Sequence, residues 1–221
     1  MTSDPIVPAD EGELTRGYRR GREKRAEIVE AAMQLFAEDG YHGASLRDIA
    51  ERVGITHPGL LHHFPTKKDL LSAVLERRDR LDEQTIRDAV ARTGGVVEMF
   101  ELLMELNQAR PWLMELSTTL SAEATAPHHP AHSYFSERYQ RVITRATALF
   151  EYAQQIGALR PGLEPAHGAR LLFAAMDGLQ LQWLLADRQD EVDLTALIRT
   201  LLDLMLLNSF PIPPSRSRRE A

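Results

Sequence analysis

Between positions 56 and 63 the chain places Thr56, His57, Gly59, His62 and His63, with Arg47, Lys67 and Lys68 close on either side. Imidazole N–H groups can donate to the N7 and O6 acceptors of guanine, and a glycine lets a backbone approach closely. Hydroxyls and cations suit phosphate oxygens, which position a protein on a duplex without reading its sequence. His57, Gly59 and His63 are therefore the candidates for base contacts, with help from Arg47. Thr56, His62, Lys67 and Lys68 are the candidates for phosphates. The competing reading of each histidine is a solvated surface ring, and of the lysine pair two solvated cations near an acid.

Two other clusters carry chemistry. His128, His129 and His132 have a local spacing that could hold a metal. No Asp or Glu accompanies them and prolines adjoin them, so a surface loop is the stronger reading and no metal site is assigned. Asp177 and Gln180 lie three apart among Phe173, Met176, Leu179 and Trp183. Buried polar groups need partners, and a bound molecule could supply one. With no cysteine there is no thiol nucleophile, disulfide or Cys-based zinc site. No nucleophile–base pair or phosphate loop appears, so no catalytic residue is assigned, an enzyme is not expected and no cofactor is expected.

The elements that must position these groups follow from helical periodicity. Ser45 and Asp48 have capping-box spacing, and Leu46, Ile49, Ala50 and Val53 mark one apolar helical face. Gly54 breaks this helix where a left-handed cap is wanted. Thr56 caps the next helix, and Pro58 falls in its first turn, where a missing N–H costs little. Leu60, Leu61 and Phe64 form its buried stripe, which leaves the histidines facing elsewhere. Two short helices joined by a tight turn form a helix-turn-helix, whose second helix enters the DNA major groove. Lys67 and Lys68 occupy the first turn of the following helix, where cations oppose the helix dipole. A phosphate there would satisfy both the helix amides and the lysines.

The rest reads as all-α. A first helix is predicted from Arg22 to Glu38, and six more follow over about 67–91, 96–108, 111–126, 131–156, 165–186 and 193–208. The expected organisation is a disordered basic arm over 1–21, a DNA-binding domain over 22–82, a ligand-binding and dimerisation domain over 83–208, and a disordered tail over 209–221. The net charge of −6 argues against a bulk electrostatic grip on nucleic acid. Positive charge must then sit on one face, with Arg16, Arg19, Arg20, Arg22, Lys24 and Arg25 as further candidates. The acidic N-terminus lacks an apolar run, so no signal peptide or membrane association is expected, and the location expected is cytoplasmic.

For a small-molecule effector the candidate lining is Met99, Phe100, Leu103, Trp112, Phe135, Tyr139, Phe173, Met176, Asp177, Gln180 and Trp183. An apolar pocket with few polar anchors suits a lipophilic or aromatic molecule, cationic if Asp177 faces in. Leu194, Leu197, Ile198, Leu201, Leu202, Met205 and Leu206 exceed what one face of a terminal helix needs. The last two helices are therefore the expected homodimer seam, a four-helix bundle about a two-fold axis.

The stretch AAMQLFAEDGYHGASLRDIAERVGI, followed by GLLHHFPTKKDLL, resembles the N-terminal domain of the tetracycline-repressor (TetR) family. The resemblance is dense over residues 22–82 and beyond that extends only to helix number and length. It implies a three-helix DNA-binding head, a ligand-binding body, dimerisation through the last two helices, and repression relieved by a small molecule. Two departures stand out: Pro58 replaces a usual small residue, and Leu61 replaces a tyrosine that donates to phosphate in such proteins. Other readings are a helical protein-interaction adaptor without DNA binding and a His/carboxylate helical enzyme.

Overall fold

The computed structural model describes residues 11–186 and 191–213, with side chains described from Arg19 onward. Among the described residues the chain forms nine helices: α1 (Glu11–Gly43), α2 (Leu46–Val53), α3 (His57–His63), α4 (Lys67–Arg92), α5 (Val96–Gln108), α6 (Pro111–Glu123), α7 (His132–Gln155), α8 (Pro165–Leu185) and α9 (Leu194–Met205). Extended pairing there is limited to two isolated bridges, Gly95 with Pro211 and Leu159 with Leu206. The chain divides into two compact units after Leu75, within α4 and seven residues before the boundary expected from the sequence.

In the first unit α1 begins at Glu11 rather than Arg22. Extending an existing helix adds a hydrogen bond per residue without a new nucleus. A same-face ion pair joins the added turns to the predicted helix, Arg19 to Glu23 at 3.6 Å. The helical part of the expected arm is thereby corrected, while residues 1–10 lie outside the described ones. Gly40, with φ 72° and ψ 176°, kinks α1, and a single turn follows to Ala44.

Caps fix the helix-turn-helix. Ser45 Oγ accepts from the Asp48 N–H at 3.2 Å and donates to its carboxylate at 2.6 Å. Gly54 takes φ 70°, and the N–H groups of Gly54 and Ile55 close the end of α2 on Glu51 and Ala50. A residue with a Cβ would be strained at that angle. Thr56 Oγ1 accepts from the Gly59 N–H at 3.2 Å and starts α3. Ile28, Ala32, Met33, Phe36, Ile49, Leu60, Phe64 and Leu70 are buried to 2% exposure or less. Leu61, placed on the same stripe by sequence, is only half-buried.

In the second unit α5, α7, α8 and α9 supply one core around Phe100, Met104, Phe150, Leu172, Met176, Trp183, Ile198 and Leu202. The helix α7 runs antiparallel to α8, with Phe150 against Gly168 and Tyr139 against Asp177. A Cβ built on Gly168 would lie 2.8 Å from the Phe150 ring, which is itself 2% exposed. Gly168→Ala should therefore cost about 1–3 kcal/mol through overpacking. Urea unfolding checks this, and an unchanged midpoint would show that the helices part freely.

The first residues of the tail expected from the sequence pack against the body. Phe210 is 3% exposed, and its carbonyl accepts from the Val96 N–H at 2.9 Å. Residues 214–221 lie outside the described ones. The seam residues also divide. Leu194, Ile198, Leu202, Met205 and Leu206 are buried in this chain's own body, Leu201 is half-buried, and Leu197 is exposed. The helix is amphipathic on two sides, because its inner stripe faces α5 and α8.

Candidate nucleic-acid interface and effector groove

The helix α3 presents a sharp division of faces. Leu60 and Phe64 are wholly buried, His62 is exposed, and His57, Gly59 and His63 are half-buried. The chain leaving α3 is held by Arg25 of α1. Its guanidinium donates to the His63 carbonyl at 2.6 Å and lies 3.9 Å over the Phe64 ring. A side chain that the sequence offered for a positive face thus satisfies an orphan carbonyl at the end of α3. Gly59 has a local reason as well, since an added Cβ would sit 3.2 Å from the Thr56 cap oxygen.

The two lysines of α4 part ways. The Lys67 ammonium donates to the Ala44 carbonyl and lies 4.6 Å from the centre of the Tyr41 ring. Lys68 stands exposed, as do Thr56 and Arg47. The Thr66–Asp69 box caps this helix, with Thr66 N–H to Asp69 at 3.0 Å and the return bond at 3.1 Å.

His63 has its pKa lowered below the ordinary 6.5, first by burial and then by His62, Arg25 and Lys24. The ring therefore stays neutral near pH 7, able to donate through one nitrogen and accept through the other. Because the unfolded chain binds this proton more readily, head stability is full above about pH 6.5 and falls as pH drops below it. Thermal melting between pH 7.5 and 5.5 should show this loss, and His63→Asn should reduce it.

In the second unit a groove of about 580 Å³ opens between α7 and α8. Ser136, Tyr139, Gln140, Ile143 and Thr144 line one wall, and Arg170, Phe173, Ala174 and Asp177 the other. Of the eleven ligand candidates the groove brings together Tyr139, Phe173 and Asp177. Met99, Phe100, Leu103, Met176 and Trp183 belong instead to the packed core, Phe135 is also buried, and Trp112 and Gln180 are half-buried outside the lining. Sequence reasoning missed Arg170 and the polar residues of α7, because a helical wheel does not say which polar stripe meets another. Tyr139 Oη donates to Asp177 at 2.8 Å. Burial, then this bond, pushes the phenol up to about 12. Burial also raises Asp177, against the pull of Tyr139, Arg138 and Arg78.

One residue from Tyr139, Arg138 enters a charged network. It reaches Asp82 at 2.8 Å and Asp79 at 3.8 Å. Arg78, 5% exposed, donates to Ser117 of α6 at 2.7 Å and approaches Asp82 at 3.3 Å. Tyr134 donates to Asp79 at 2.5 Å. This network ties α4 to α6 and α7.

Two of the three histidines at the α6–α7 connection bond locally. His129 is buried, its Nδ1 accepts from the Ala131 N–H at 3.2 Å, and its Nε2 lies 3.8 Å from Glu123. His132 Nδ1 donates to the Ala124 carbonyl at 2.8 Å. Among the described residues no three His, Cys, Asp or Glu side chains are gathered as a metal site requires, and no helix is long and apolar enough to cross a membrane.

Known proteins match both units. Residues 28–74 match the family model "Bacterial regulatory proteins, tetR family", and residues 93–207 match "BetI-type transcriptional repressor, C-terminal". The transcriptional activator FasR of Mycolicibacterium smegmatis is 41% identical over 66 residues, 28% of this chain and 30% of FasR. The transcriptional repressor AcnR of Corynebacterium diphtheriae is 34% identical over 90 residues, 41% of this chain and 45% of AcnR. The chain thus spans less than half the length of either relative. The solved structure of AibR in complex with isovaleryl coenzyme A and operator DNA is 25% identical, with a TM-score of 0.62, over 82% of this chain and 97% of that one. With one family model on the helix-turn-helix and another across more than half the chain, this protein belongs to the TetR family of bacterial transcriptional regulators.

Proposed function

We propose that this protein is a ligand-responsive DNA-binding regulator, a repressor that leaves a palindromic operator when a small molecule binds its body. The observation that carries this is α3 itself, capped at Thr56, anchored by Leu60 and Phe64, and facing outward through His62. His57, Gly59 and His63 are assigned to base edges with Arg47 assisting, and Thr56, His62 and Lys68 to phosphates. Lys67, bonded to Ala44, braces the turn and adds its charge to the same helix start. A solved relative that holds both an acyl-coenzyme A and operator DNA supports joining the two activities in one chain.

Two chains would associate through α8 and α9. Leu171, Leu181 and Leu185 on α8 are 43–74% exposed, and Leu197, Leu204 and Leu207 on and after α9 are 41–65% exposed. Covering these apolar side chains is favourable at about 25 cal/mol per Å², and two-fold symmetry makes the operator palindromic. Effector binding would act through Arg138, which is adjacent in sequence to Tyr139 and pairs with Asp82 on α4. The effector must bind the two states of α4 with different affinity, or it shifts nothing.

The experiment is binding to DNA from the chain's own promoter region at two salt concentrations. Tight binding with a two-fold footprint and steep salt dependence is expected. Lys68→Ala should weaken binding to all sequences alike and lower the salt slope by about 1 per chain. Failure to bind duplex DNA in dilute buffer would favour the protein-interaction reading.

A further inference from the structure

The α7–α8 groove carries opposite charges at its two ends. Arg170 and Asp177 lie seven residues apart on α8, a separation of about 10 Å along the helix axis. Between them the surface is apolar on one side, with Phe173 and Ala174, and Ile143 faces them from α7.

Neither charge is consumed by the fold. Arg170 is exposed and has no ion pair or hydrogen bond among the described residues. Three other arginines of the body are engaged, Arg78 and Arg138 with Asp82 and Arg199 with Glu101. Asp177 accepts only the Tyr139 hydroxyl, through one of its two oxygens. A carboxylate with partly stripped water and a spare oxygen favours an incoming cation. An unpaired guanidinium fork favours a carboxylate.

We propose that the groove binds an elongated zwitterion, with its ammonium on Asp177 beside Tyr139, its carboxylate on Arg170, and a methylene chain over Phe173 and Ile143. The proposal rests on the reading of the body as the effector-binding unit, and it names the class of that effector. It departs from the apolar pocket that the sequence suggested, because the lipophilic candidates were spent on the core. Selectivity comes from length. A molecule with only one charge leaves one end of the groove unmatched, and one that is too short cannot reach both.

The test uses the full chain and isothermal calorimetry. The probes are straight-chain ω-amino acids of increasing length, with the alkylamine and alkanoate of equal length as comparators. The expected result is an optimum at a charge separation near 10 Å, with the zwitterion at least about tenfold tighter than either comparator. Arg170→Gln should reduce the zwitterion to the amine's affinity, and Asp177→Asn should reduce it to the acid's. Both sites are exposed, and unchanged melting temperatures verify that the fold is intact. No advantage of zwitterion over amine and acid, or no loss in either variant, overturns the proposal. Promoter binding by the ligand-free chain is measured separately. Its absence would remove the regulator reading and leave the calorimetric result standing.

Discussion

Arg78→Met should destabilise the body by about 3 kcal/mol, the lower end of the cost of removing one member of a buried ionic cluster. The guanidinium is 5% exposed and is shared between α4 and α6 through Ser117, with Asp82 at 3.3 Å and Asp79 at 3.9 Å. Burial alone would push its pKa down, but Asp82, Tyr134 and Asp79 outweigh burial and the net shift is upward. Methionine matches much of the volume, so the loss is electrostatic rather than steric. The lower end applies because Asp82 keeps Arg138 at 2.8 Å. Without Arg78, Arg138 also loses a like charge that, after burial, holds its pKa down. Urea unfolding of the full chain should show a lower midpoint with an unchanged slope. A loss below about 1 kcal/mol would mean that the cluster is tolerated rather than stabilising.

His63→Ala should collapse sequence discrimination. A good base contact is worth about 1–3 kcal/mol. A two-fold dimer counts it twice, so the ratio of operator to non-specific affinity should fall by at least about thirtyfold. The structure sharpens this expectation in two ways. Arg25 clamps the His63 carbonyl at 2.6 Å, so the ring projects from a fixed backbone. Burial holds its pKa down, so the ring is offered to a base edge as a neutral donor and acceptor. His62→Ala is the comparator. An exposed ring on phosphate should weaken specific and non-specific binding together, leaving the ratio intact. Competition binding with scrambled duplex at fixed salt separates the two variants. An unaltered ratio for His63→Ala would take that residue off the reading face.

Much of the helical pattern was legible in sequence because it is local. Ser45 with Asp48, Gly54, Thr56, and Thr66 with Asp69 each act within a few residues, and the structure forms each of these caps. The helix α5 begins at Val96 and ends at Gln108 as its periodicity requires. The start of α1 was missed because helix propagation through a charged, glycine-containing segment has no apolar stripe to announce it.

The site was legible only in part. The face of α3 follows from which residues are apolar, so His62 could be placed outside from the sequence. That Arg25 and Lys67 turn inward, onto His63 and Ala44, could not be placed, because these bonds join residues 38 and 23 positions apart. The aromatic and methionine residues of the body divide between core and groove by the rotation of α7 against α8, which no single-helix pattern encodes. Periodicity and capping thus determined the nine helices of the described residues and a helix-turn-helix head. Only tertiary packing decided that Arg170 and Asp177 share a groove and that Arg78 is sealed among α4, α6 and α7. The reason is that caps and stripes are satisfied within a turn or two of chain, whereas a groove exists only once two helices have chosen the faces they hide.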